Sequence, residues 1–164
     1  MDKNKIRLVS KSPEDTIKIA YTIGKYLRPG DVICLGGDLG AGKTAFTQGL
    51  AKGLGIKEHV TSPTFTIVNE YYGMMPMYHF DVYRINDPDE MMEIGFDEYV
   101  DGDGISVIEW AEKIQDILPP YYLNININKK LEEGDNYREI VLEAVGDKYR
   151  PVIDQLLSLF NIIH

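Results

Sequence analysis

The segment Gly37-Asp38-Leu39-Gly40-Ala41-Gly42-Lys43-Thr44 constrains this chain more than any other, because it matches G-x-x-x-x-G-K-[ST] at every fixed position. Glycines let successive backbone N–H groups turn inward as an anion nest, with no Cβ in the way. Such a loop belongs between a buried strand and a helix N-terminus, whose free N–H groups and dipole favour phosphate. The flanks agree. The apolar run Val32-Ile33-Cys34-Leu35 precedes the loop, and a helical pattern follows from Lys43 to Leu54, with Gly53 and Gly55 as its stop signal. Lys43 is then the mobile cation for the β- and γ-phosphates of a nucleotide. The Thr44 hydroxyl is placed to ligate Mg²⁺, which prefers oxygen.

The rest of the pattern is mixed α and β. Ile6–Val9 reads as a short strand, and Ser12-Pro13-Glu14-Asp15 opens a helix that runs to about Leu27. Phe65–Tyr72 and Met77–Arg84 are β-rich runs either side of Gly73-Met74-Met75-Pro76, the pattern of a hairpin. Pro88-Asp89-Glu90 starts a short helix to about Ile94. Ile105–Ile108 is a second buried strand, followed by a helix over Ala111–Leu118 that Pro119-Pro120 ends. Leu123, Ile125 and Ile127 alternate with asparagines, the mark of a half-buried strand, and Tyr137–Val145 pairs with it. Val152, Leu156, Leu159 and Ile163 share one face of a closing helix. The expected fold is α/β, a P-loop NTPase-like three-layer α/β/α with a mixed sheet: a parallel core with antiparallel additions. A length of 164 residues suits one domain, 1–164.

Charge narrows the function. Seventeen basic against twenty-six acidic residues give a net charge of −9, and the longest basic run is Lys129-Lys130. A protein that tracks a nucleic-acid backbone needs a basic footprint, so any nucleic acid is expected to be reached through a protein partner. No apolar run approaches a bilayer span, the N-terminus does not read as a signal peptide, and Cys34 is the only cysteine. A cytoplasmic protein without a membrane role is expected.

Three further clusters bear on chemistry. Thr61-Ser62-Pro63-Thr64 follows Thr44 by about twenty residues. Its hydroxyls suit a γ-phosphate or metal sensor, and equally an ordinary strand-entry turn. In His79-Phe80-Asp81-Val82-Tyr83-Arg84, strand alternation puts His79, Asp81 and Tyr83 on one face. That is either a functional face or a structural hydrogen-bond network. Glu109, after Ile105–Ile108, stands where P-loop NTPases place a carboxylate of the Mg²⁺ site, though Asp is usual there; the alternative is a solvated acid that opens the next helix. Guanine readout finds no support: Asn128-Lys129-Lys130-Leu131 lacks the Asp of N-K-x-D.

Together these residues closely resemble the TsaE family of small bacterial ATPases. The resemblance rests on Gly36–Thr44, Ser62-Pro63-Thr64-Phe65, Tyr78–Arg84, Asp87–Glu90, Gly95–Tyr99, Ile108-Glu109-Trp110 and Leu118-Pro119, in that order. It implies a role in placing the threonylcarbamoyl group on adenosine 37 of tRNAs that read codons beginning with A. TsaD-like and TsaB-like partners would catalyse the transfer and hold the tRNA, with this subunit docked on them and hydrolysing ATP to support turnover. By position, Gly37–Thr44 would bind ATP, and Thr44 with Glu109 would hold Mg²⁺. Lys43, Asp81, Glu109 and Thr64 would be catalytic, Asp81 by holding a metal-bound water or orienting the attacking water and Thr64 by sensing the γ-phosphate. Trp110, Tyr83 and Arg84 would shape the site or the docking surface. Ala45 replaces the family's usual Thr and leaves Thr44 intact.

Two other readings compete. A small-molecule or nucleotide kinase commonly closes an arginine-bearing lid over the phosphates, and the five arginines here form no cluster. A non-catalytic module, in which ATP only organises a docking face, would keep the phosphate loop without needing catalytic oxygens.

Overall fold

The computed structural model describes residues 4–38, 40–63 and 67–160. Leu39 and Thr64, expected to bind ATP and to sense its γ-phosphate, lie outside the described residues, as do Phe65 and Ile163. Seven strands form one sheet in the order β1-β7-β6-β2-β5-β4-β3. They span Lys5–Ser10 (β1), Val32–Gly37 (β2), Val68–Tyr72 (β3), Pro76–Asp81 (β4), Ile105–Glu109 (β5), Tyr122–Lys129 (β6) and Arg138–Val145 (β7). β6, β2, β5 and β4 run parallel, while β3 adds antiparallel at one edge and β7 then β1 at the other. The sheet is therefore mixed, with a parallel core.

β2 shows why that core is buried. Ile33 and Leu35 enter one apolar cluster and Val32 and Cys34 the other, so successive side chains serve opposite faces of the sheet. The first face carries the helices Pro13–Tyr26 (α1), Lys43–Gly53 (α2) and Arg150–Leu159 (α5); the second carries Asp89–Glu93 (α3), Phe96–Val100 (α4) and a 3₁₀ segment over Ala111–Ile117. Ser12 caps α1 by accepting from the Asp15 N–H, with Pro13 in the first turn. Burial in the second core, with Glu112 nearby, pushes the Cys34 thiol up to about 12, which leaves it without thiolate character at neutral pH. Among the described residues no helix is long and apolar enough to cross a membrane.

Several expectations need correction. The run Met77–Arg84 stops pairing at Asp81, because the Asp81 carboxylate accepts the Tyr83 N–H and turns the chain; Tyr83 and Arg84 are exposed loop residues. Gly53 is the last residue of α2, as the stop-signal reading expects, but it has a second role that the reading missed. It packs so closely on α1 that a Cβ there would sit 2.5 Å from the Tyr21 carbonyl. The stretch after Trp110 is 3₁₀ with a break at Ile114, not a regular α-helix. Gly95 opens the short helix α4, which the sequence reading left out. On α5 the buried residues are Val152, Ile153 and Leu156, whereas Leu159 is exposed.

Candidate functional site

The parallel strands β2, β5 and β4 deliver their carboxyl ends to one edge of the sheet, where open α/β sheets collect ligands. Register makes the gathering specific: Leu35 pairs with Glu109, and Glu109 with Asp81. The loop after β2 passes over this edge and runs into α2. Gly37 is required there. Its φ is +139°, and a Cβ would meet the Ile127 carbonyl at 2.2 Å.

A cleft of about 630 Å³ opens at this edge, lined by Gly37, Asp38, Gly40, Gly42, Lys43, Thr44, Ser62, Asp81, Glu109 and Trp110. The expected loop residues and the expected carboxylates thus share one space. Ala41 is an exception: it is buried and faces a second, smaller cavity of about 140 Å³ on the other side of the loop. Ser12, Thr16, Ala45, Asn136 and Arg138 line that cavity as well. Ala45 therefore faces away from the cleft that Thr44 and Glu109 line.

Glu109 is the centre of the charge arrangement. It is 6% exposed, too buried to be a solvated acid opening a helix. Its Oε2 lies 2.7 Å from His79 Nε2, and its Oε1 lies 3.7 Å from the Lys43 ammonium. His79 is itself buried, and among the described residues its Nδ1 has no partner. With a proton on Nε2, the ring donates Nε2–H to the carboxylate. His79 therefore holds one oxygen of Glu109 and leaves the other aimed at the phosphate loop. Reading the strand alternation picked out His79 but gave it no role.

Trp110 follows Glu109 with φ 66° and ψ 34°, and among the described residues it is the one non-glycine with positive φ. A left-handed backbone costs a side-chain-bearing residue about 1–2 kcal/mol. The turn carries the indole to 5.6 Å from the Lys43 ammonium and against the Tyr83 ring, 4.8 Å between centroids. Lys113 holds Tyr83 from behind, donating to its carbonyl and lying 4.9 Å from the ring centroid. Arg84, expected with this group, does not line the cleft.

Thr44 Oγ1 lies 3.4 Å from Ser62 Oγ, so the hydroxyl-rich loop does reach the cleft. The hydroxyl of Thr44 and the carboxylates of Glu109 and Asp81 border the same space. Among the described residues no group of three or more His, Cys, Asp or Glu could hold a metal. The donor set suits Mg²⁺, a hard cation usually bound by one or two carboxylates together with substrate phosphates. One residue that sequence reasoning missed is Arg138, whose Nε donates to the Ala41 carbonyl at 2.8 Å and ties β7 to the loop. Nothing local in the sequence marks it, since the pairing spans 97 positions.

Comparison with known proteins identifies the family. The family model described as "Threonylcarbamoyl adenosine biosynthesis protein TsaE" matches residues 10–140. The tRNA threonylcarbamoyladenosine biosynthesis protein TsaE of Bacillus subtilis (strain 168) is 47% identical over 152 residues, covering 92% of this chain and 93% of that one. The protein of the same name from Treponema pallidum (strain Nichols) is 44% identical over 137 residues, covering 84% and 99%. The crystal structure of Bacillus subtilis YdiB superposes with a TM-score of 0.76 at 42% identity, over 94% of each chain. With its seven-stranded mixed sheet and a match across most of its length, the chain belongs to the TsaE family.

Proposed function

We propose that this chain is the ATP-binding and ATP-hydrolysing subunit required for threonylcarbamoylation of adenosine 37 in tRNA, acting in the cytoplasm while docked on a TsaD-like and TsaB-like pair. Membership in the TsaE family supports the pathway. The single observation that supports the chemistry is the cleft in which the phosphate loop, Lys43, Thr44, Asp81 and Glu109 meet. The loop N–H groups and Lys43 bind and orient the polyphosphate. Bound Mg²⁺ would neutralise charge on the β- and γ-phosphates, held by Thr44 and Glu109. Asp81, beside Glu109 in register, is the group for holding or orienting a water in line with the γ-phosphate. Lys43, the cation for the phosphates, lies 3.7 Å from Glu109 Oε1 and 5.6 Å from the Trp110 ring. A net charge of −9 fits a subunit that leaves tRNA to its partners.

A kinase reading gains nothing from the geometry. Arg84 lies outside the cleft, and Arg138 is engaged with backbone carbonyls. The test is repeated tRNA modification reconstituted with the partner pair. Lys43→Ala should lose productive ATP binding and multiple turnovers while keeping its circular dichroism spectrum. Unchanged multi-turnover modification by that variant would sink the proposal.

A further inference from the structure

The strand β6 ends beside the phosphate loop. Ile127 pairs with Gly37, and Lys129 is the last residue of the strand, two positions on. A Cβ placed on Gly40 would lie 3.3 Å from Lys129 Nζ, so this ammonium rests against the loop backbone. Its surroundings set it apart from the other cations nearby. Lys130 pairs with Glu139 at 3.9 Å, Lys43 with Glu109 at 3.7 Å, and Arg138 with backbone carbonyls. Among the described residues no carboxylate lies within ion-pair distance of Lys129, and its ammonium makes no hydrogen bond. In a chain with twenty-six acidic residues, an ammonium left unneutralised on the phosphate loop calls for a ligand.

Gly40, the residue that Lys129 Nζ rests against, borders both the main cleft and the smaller cavity. We propose that Lys129 is a nucleotide-binding residue, which supplies a second cation to the bound diphosphate from the side of the loop opposite Lys43. The inference rests on the phosphate-loop reading above. A four-carbon stem lets the ammonium swing from Gly40 onto an anion. The Asn128-Lys129 pair resembles the start of a guanine-reading motif, but Leu131, 66% exposed, occupies the position of the base-reading carboxylate. Lys129 therefore contributes charge without selecting a base.

The test is calorimetric titration of the full chain with ADP at low and high salt, comparing wild type, Lys129→Met, Lys129→Arg and Lys43→Ala. Methionine keeps the stem over Gly40 and removes the charge. Lys129→Met should weaken ADP binding about tenfold at low salt, with a smaller gap at high salt and an unchanged melting temperature. Lys129→Arg should stay within about threefold of wild type. Binding by Lys129→Met within about twofold of wild type, or a gap that salt does not narrow, would overturn the assignment. Failure of wild type to bind ADP, or equal binding by Lys43→Ala, would overturn the phosphate-loop reading itself.

Discussion

At the scale of the residue, the two oxygens of Glu109 have different neighbours, and the difference is the useful part. Oε2 is held by a buried imidazole at 2.7 Å, while Oε1 faces the Lys43 ammonium at 3.7 Å. Partners that orient a metal ligand typically contribute ten- to a hundredfold in metal affinity, about 1.4–2.7 kcal/mol. Removing His79 should therefore act on the metal-dependent part of binding. In calorimetric titrations, His79→Leu is expected to leave ADP binding without Mg²⁺ nearly unchanged and to lower the Mg²⁺-dependent gain about tenfold. His79→Gln, whose amide can donate to the same oxygen, should recover most of it. Equal losses with and without Mg²⁺ would mean that His79 supports the cleft as a whole and does not position Glu109. The residue types at this site were legible early, since Lys43, Thr44, Asp81 and Glu109 follow from motif and strand position. Which oxygen of Glu109 meets which neighbour was not, because β4 brings in His79 from thirty positions away.

Among the elements, α1 and α2 pack backbone against backbone, which is why glycines recur along their contact. A methyl at Gly53 would lie 2.5 Å from the Tyr21 carbonyl and 3.0 Å from the Gly24 Cα. Helix propensity alone favours Gly→Ala by about 1 kcal/mol. Overpacking here opposes it by about 1–3 kcal/mol, and backbone cannot swing aside as a side chain does. Gly53→Ala should therefore lower the urea midpoint and the melting temperature. A rise in either would show that the helices can separate without cost. Sequence reading placed Gly53 at the helix end, where it is, but missed its contact with α1, because a glycine at a helix end and a glycine at a helix crossing look alike in one dimension. The same limit applies to β4: apolar and aromatic residues continue to Arg84, but the Asp81 side chain ends the strand through a local turn. Helix α1 was legible at its start, because Ser12 and Pro13 act within their own turn.

Across the whole molecule, three neighbouring parallel strands carry the chemistry because their register brings their carboxyl ends level. β2 supplies the loop, β5 supplies Glu109, and β4 adds His79 and Asp81 one strand further out. Buried runs in β2 and β5 revealed a parallel core, whereas the strand order depends on pairings between distant segments that no local pattern encodes. On the other side of β2, β7 braces the loop through Arg138. The central claim is that these elements together form a partner-coupled ATPase with Glu109 at the metal. It is tested most directly by measuring ATP hydrolysis by the chain alone and with a TsaD-like and TsaB-like pair, for wild type and Glu109→Ala. The account predicts slow hydrolysis alone, stimulation by the pair, and loss of at least about a hundredfold in the variant, in keeping with removal of a group that supports transition-state charge. Tight ATP binding without hydrolysis in either condition would contradict it, leaving the phosphate loop in place as the organiser of a docking face.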